Sequence, residues 1–167
     1  MDKLEGFEPS TFGKYLLIEK IGAGGMAEIF KAKTFGVSGF EKIVVIKRIL
    51  PKFSNDPEFK SMFINEAKLT SGLQHNNIVQ IYELGEINQQ YFIAMEFIDG
   101  RDLLQLLRKS SKRREYIPLN VVIFVLKEIF TGLGFAHSAT DENHRPLNII
   151  HRDISPWQNI FHVQDNR

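Results

Sequence analysis

Tyr15-Leu16-Leu17-Ile18-Glu19-Lys20-Ile21-Gly22-Ala23-Gly24-Gly25-Met26-Ala27-Glu28-Ile29-Phe30-Lys31-Ala32-Lys33 is the stretch that decides the fold. Its first seven residues read as a strand that runs into a glycine-rich turn, and Glu28 to Lys33 reads as the strand that returns. Gly36-Val37-Ser38-Gly39 supplies the next turn, and Lys42 to Ile49 is a β-branched run that reads as a third strand. Strands joined by turns this short form an antiparallel meander, not a βαβ unit. Beyond Pro51 the period changes. Over residues 57 to 73, Phe59, Phe63, Ala67 and Thr70 recur on one helical face, and Glu66 falls on or beside it. Ile78 to Leu84 and Tyr91 to Ile98 read as two more strands. Five antiparallel strands and one helix define a small α+β lobe over residues 15–98, preceded by a leader over 1–14.

Asp99-Gly100 breaks the pattern and marks a domain boundary, with a second, helical lobe over 99–167. A short helix is expected from Leu103 to Lys109. A longer one runs from Pro118 to Ala139, apolar nearly all round and so expected to be covered on every side. The basic stretch from Lys109 to Arg114 reads as a solvated loop. Lys and Arg total 21 against 20 Asp and Glu, which lacks the basic excess of a nucleic-acid binder. There is no cysteine, so no disulfide or thiolate metal site exists. No basic segment leads into an apolar one at the start, and no apolar run reaches the roughly 18 residues that span a bilayer, so a soluble cytoplasmic chain is expected.

The chemistry begins with Gly22-x-Gly24-x-x-Ala27, whose small residues let backbone N–H groups approach phosphate oxygens. A dinucleotide site would follow these glycines with a helix, and a P-loop would close on Gly-Lys-Ser/Thr; a strand follows here instead. A ligand-free glycine hairpin fits the same residues. Val44-Val45-Ile46-Lys47 then sets a lysine within the third strand, on the face of Val45. A lysine there calls for a partner, and Glu66, a carboxylate beside an apolar helix face, supplies one.

With His75-x-Asn77, the run Met95-Glu96-Phe97 and His151-Arg152-Asp153, these motifs occur in the order and spacing of protein kinases, so the chain resembles that family over nearly its whole length. Gly24-Gly25-Met26-Ala27-Glu28 and Asp153-Ile154-Ser155-Pro156 are similar to bacterial serine/threonine kinases, myxobacterial ones in particular. The resemblance implies a protein-kinase-like α+β fold that binds ATP and Mg²⁺ and transfers the γ-phosphoryl group to Ser/Thr hydroxyls of a protein substrate. A non-catalytic pseudokinase or protein-binding lobe is the alternative.

Residue by residue, the resemblance implies that Gly22, Ala23, Gly24 and Gly25 cover the phosphates, that Lys47 contacts them and that Glu66 orients Lys47. Ile21, Ile29 and Val45 would roof the adenine and Phe161 would floor it. Met95 would back it, and the backbone of Glu96, Phe97 and Ile98 would edge it. Asp102 would reach the ribose. Asp153 would accept the substrate hydroxyl proton, Asn159 would bind a magnesium ion, and His151 would pack the loop.

Three positions depart from the family pattern. Ala27 stands for the third glycine, and Ser155 stands where many kinases carry lysine. One extra residue separates Asp153 from Asn159, so either Trp157 bulges out or Gln158 takes the asparagine place. The final strand is expected to lack a returning partner, and no Asp-Phe-Gly follows it. The chain therefore reads as the amino-terminal part of a kinase domain, unable to transfer phosphate alone and able to self-associate through its long apolar helix.

Overall fold

The computed structural model describes residues 7–151, 154–156 and 160–162. It divides into two compact units, one of residues 1–74 and 79–97 and the other of 75–78 and 98–167.

In the first unit, β1 (Ser10–Phe12), β2 (Tyr15–Ala23), β3 (Ala27–Phe35), β4 (Glu41–Ile49), β5 (Ile81–Ile87) and β6 (Gln90–Glu96) form one antiparallel sheet ordered β1-β2-β3-β4-β6-β5. The sheet thus has six strands where the sequence showed five. The extra one, Ser10–Phe12, lies in the supposed leader and pairs with Tyr15 to Leu17 through a turn at Gly13, whose φ is +54°. The fifth strand starts later than its apolar pattern suggested, at Ile81 rather than Ile78.

Alternation decides what each face carries. One face buries Phe12, Tyr15, Leu17, Phe30, Ala32, Val44, Ile46, Phe92 and Ala94. The other buries Ala27, Ile49 and Ile93 against Phe63 and Ala67 of α1 (Pro57–Ser71). The α1 helix begins where expected, with Pro57 in its first turn and the Asp56 carboxylate accepting from the amides of Glu58 (2.9 Å) and Phe59 (3.4 Å).

The second unit contains β7 (Gly100–Asp102), α2 (Leu103–Arg113), α3 (Leu119–Ser138) and β8 (Ile160–His162). β8 pairs antiparallel with the earlier strand β7, Asp102 facing Ile160 and Gly100 facing His162. Residues 75–78 belong here because His75 and Asn77 attach to α3. The Asn77 amide donates to the Glu128 carbonyl and to Glu128 Oε2, both at 2.7 Å, and the His75 ring lies 5.0 Å from that of Phe135. Gly132 makes this approach possible, since a Cβ there would stand 3.2 Å from the Asn77 Cβ.

The basic stretch is helical rather than a loop, because α2 continues to Arg113 and closes on Arg114 in the left-handed conformation. On α3, only Val125, Gly132 and Ala136 are buried. Ile123, Phe124 and Phe130 are more than half exposed, so the helix is not covered on every side among the described residues. By length and composition α3 is also apolar enough to cross a membrane, a test that core helices of soluble proteins pass too. The sequence count missed this because Asn120, Lys127 and Glu128 interrupt the apolar run without dominating it.

Candidate nucleotide site

Strand register assembles the candidate residues of the first unit. Residues directly opposite in a sheet point to the same side. Gly22 faces Ile29, Ile29 faces Lys47, and Lys47 faces Ile93. One step along, Lys31 faces Val45 and Val45 faces Met95. Gly22, Ile29, Val45, Lys47 and Met95 therefore share the face that α1 partly covers. β2 slips register between Lys20 and Gly22, leaving Ile21 as the extra residue of a bulge. Such bulges bend a strand and redirect the side chain they carry.

Lys47 is three-quarters buried, and its Nζ lies 2.6 Å from Glu66 Oε1 and 5.8 Å from the Phe63 ring centre. The Glu66 side chain is 55% exposed, so it does not intrude on the helix's apolar side as its sequence position suggested. The helical stagger turns Glu66 to the edge of the face that Phe63 and Ala67 bury. An ion pair this open contributes only about 0 to 1 kcal/mol to stability. Its chief effect is to hold the ammonium in one place.

The hairpin above this face is built for access. Gly24 donates to the Ala27 carbonyl at 2.8 Å to close the turn. None of Gly22, Gly24 and Gly25 has a positive φ, so the backbone conformation does not require glycine at any of them. A Cβ at Gly25 would meet nothing within 4 Å. The amides of Gly25 and Met26 find no acceptor among the described residues. A hairpin that needed glycine for its own turn would show the opposite.

Two contacts escaped the sequence reading. Lys31 Nζ lies 4.3 Å from the centre of the Phe97 ring, tying the end of the first unit to β3 by a cation–π contact. Its signal was available, because Lys31 shares the face of Ile29. The second is the Asn77 attachment, for which the His75-x-Asn77 spacing was noted without a role.

In the second unit, Asp102 caps α2, its Oδ1 accepting from the Gln105 amide at 2.7 Å. This local role accounts for an acidic residue there whatever else it touches. Phe161 is the central residue of β8, opposite Arg101, and Ile98 lies just before β7. Asp153 and Asn159, with Trp157 and Gln158, lie outside the described residues. Among the described residues no group of three His, Asp or Glu side chains could hold a metal.

An antiparallel sheet with one helix against it, a lysine held by a helical glutamate and an open glycine hairpin make up the first unit's candidate site. The protein kinase domain model matches residues 15–167. The chain is 51% identical over 145 residues to the tyrosine-protein kinase MasK of Myxococcus xanthus, covering 87% of this chain and 22% of that protein. It is 33% identical to the serine/threonine-protein kinase PrkC of Bacillus subtilis, over 86% of this chain and 20% of that protein. The PknI kinase domain of Mycobacterium tuberculosis superposes with a TM-score of 0.72 at 25% identity, covering 94% of this chain and 59% of that one. The chain belongs to the protein kinase domain family, as a part of that domain homologous to bacterial serine/threonine kinases. It spans about a fifth of the length of the curated relatives it matches.

Proposed function

We propose that this chain supplies the ATP-binding portion of a cytoplasmic protein kinase. The observation that carries the reading is Lys47, held 2.6 Å from Glu66 on the face shared by Gly22, Ile29, Val45 and Met95. Lys47 and the free amides of Gly25 and Met26 would hold phosphate oxygens, and Glu66 keeps the ammonium from turning away. The family resemblance supports Ile21, Ile29, Val45, Met95 and Phe161 as the residues around the base, the backbone of Glu96, Phe97 and Ile98 as its hydrogen-bonding edge and Asp102 as the ribose contact. Asp153 would take the proton of the acceptor hydroxyl, and Asn159 would be a ligand of Mg²⁺, which neutralises phosphate charge when bound. These last roles rest on the family resemblance.

Serine and threonine are the proposed acceptors, supported by the names of PrkC and of the PknD kinase of Mycobacterium tuberculosis, which is 32% identical. Tyrosine is the second reading, favoured by the 51% identity to MasK. Peptides that differ only in carrying Ser, Thr or Tyr at one position separate the two when labelled phosphate is followed with a whole kinase domain containing this chain, and with Asp153→Asn in that domain as the blank. Incorporation that survives Asp153→Asn contradicts the assigned base.

A further inference from the structure

The helix α2 carries two faces of different chemistry. At about 100° per residue, Arg108, Lys109, Lys112 and Arg113 fall within an arc of about 140°, and Leu103, Leu104, Leu106 and Leu107 occupy the opposite side. Three of those leucines are half-buried within the second unit, and all four cations and the capping Arg114 are exposed. None of the five makes an ion pair among the described residues. The concentration is local: outside residues 108–114 the chain has 16 Lys and Arg against 20 Asp and Glu.

This arrangement works against the helix. Arg108 with Lys112 and Lys109 with Arg113 are like charges four residues apart, which repel across a turn. The helix C-terminus favours positive charge in its last turn and offsets part of that, but it reaches neither Arg108 nor Lys109. Among the described residues no anion offsets the rest.

We propose that the basic face of α2 docks an acidic segment of a protein partner. Three of the five cations are arginines, whose planar forks pair with carboxylates by two hydrogen bonds at once. The face offers no apolar side chain for insertion into a bilayer, since the leucines turn the other way. Spacing narrows the ligand further. Cations four apart on a helix stand about 5 to 6 Å from each other, and alternate residues of an extended peptide stand about 6.8 Å apart. A segment with Asp or Glu at every second position therefore meets both like-charged pairs. The docking requires no phosphoryl transfer, so it stands or falls apart from the kinase reading.

The test is fluorescence polarisation of a labelled ten-residue peptide with Asp at alternate positions, titrated with the 167-residue chain at about 50 mM salt, where screening is weak. Lys109→Glu with Arg113→Glu is expected to weaken binding by at least about tenfold, and Lys52→Glu with Lys68→Glu, the same change in net charge, by less than about twofold. Lys109→Ala with Arg113→Ala, which favours helix, guards against a variant that fails to fold and is expected to weaken binding in the same sense. Equal loss in the α2 and control pairs overturns the proposal, as does unchanged affinity in the alanine pair. So does α2-dependent binding to vesicles containing phosphatidylserine without binding to the peptide.

Discussion

Lys47 and Glu66 form an asymmetric pair: the ammonium is three-quarters buried within the sheet, and its carboxylate partner 2.6 Å away is more than half in solvent. A pair of this kind positions more than it stabilises. Replacing Glu66 by Gln is therefore expected to change folding stability by less than about 1 kcal/mol, and to weaken ATP binding several-fold because Lys47 is no longer held. Thermal melts and nucleotide titration of the same sample separate the two effects. A large drop in melting temperature would show that the pair is structural.

Gly85 lies against the ring of Phe92, which is almost fully buried, and a Cβ there would stand 2.6 Å from two ring carbons. Gly85→Ala is expected to destabilise the first unit by about 1 to 3 kcal/mol, as overpacked cores do. Gly134→Ala, where a Cβ meets nothing within 4 Å, is the control. In a helix it is expected to be neutral or stabilising by up to about 1 kcal/mol. Denaturant midpoints of the two variants on the same side of the parent would contradict this.

The first unit also carries two pH-linked carboxylates. Burial raises the Glu28 carboxyl, but hydrogen bonds from Lys20 and Arg48 outweigh it and leave the group below its ordinary value of 4.5. Burial likewise raises Glu83, and Lys14 and Tyr15 outweigh it in the same way. A lowered folded pKa contributes stability that is complete above the unfolded value and is lost as pH falls through the folded one. Melting temperature is thus expected to fall as pH drops below 4.5, and Glu28→Gln with Glu83→Gln is expected to flatten that slope. Tyr15 acts at the other end: burial first, then Glu83, hold its hydroxyl above its ordinary 10.0, so its contribution is complete below that pH and lost above it. An acid slope identical in parent and double variant would contradict the assignment.

Ile123, Phe124 and Phe130 on α3 are each more than half exposed. Exposed apolar surface of this extent drives association. The 167-residue chain is expected to scatter light as oligomers, and Phe124→Glu with Phe130→Glu to shift it towards monomer. A monomeric parent chain with strong amide protection from Val121 to Phe130 would show that the helix is covered.

Much of this was legible in the sequence because the patterns were local. The glycine turn between two alternating strands, the Val45 and Lys47 alternation and the helical period from Pro57 each depend on neighbours a few residues away. What escaped was set by distant pairing. Ser10–Phe12 is too short to show a period and is a strand only because Leu17 to Tyr15 lies beside it. Ile78 read as the start of a strand from its apolar pattern, yet the Asn77 bonds to Glu128 attach residues 75–78 to a helix some fifty residues on. Asn77 itself could be recognised from a family pattern but not explained without Gly132. The exposure of Glu66 was misjudged for a related reason: helical period places a residue near a face, and only packing shows which side of its edge it takes.

The proposed nucleotide site depends above all on Lys47 contacting the phosphates of ATP. The most direct test is titration of a fluorescent ATP analogue, with Mg²⁺, into the parent chain and the Lys47→Ala variant, with circular dichroism confirming that both fold. Saturable binding by the parent is expected, with an affinity at least about tenfold weaker in Lys47→Ala, the loss of one charge-assisted phosphate contact. Equal affinity in the two would contradict it.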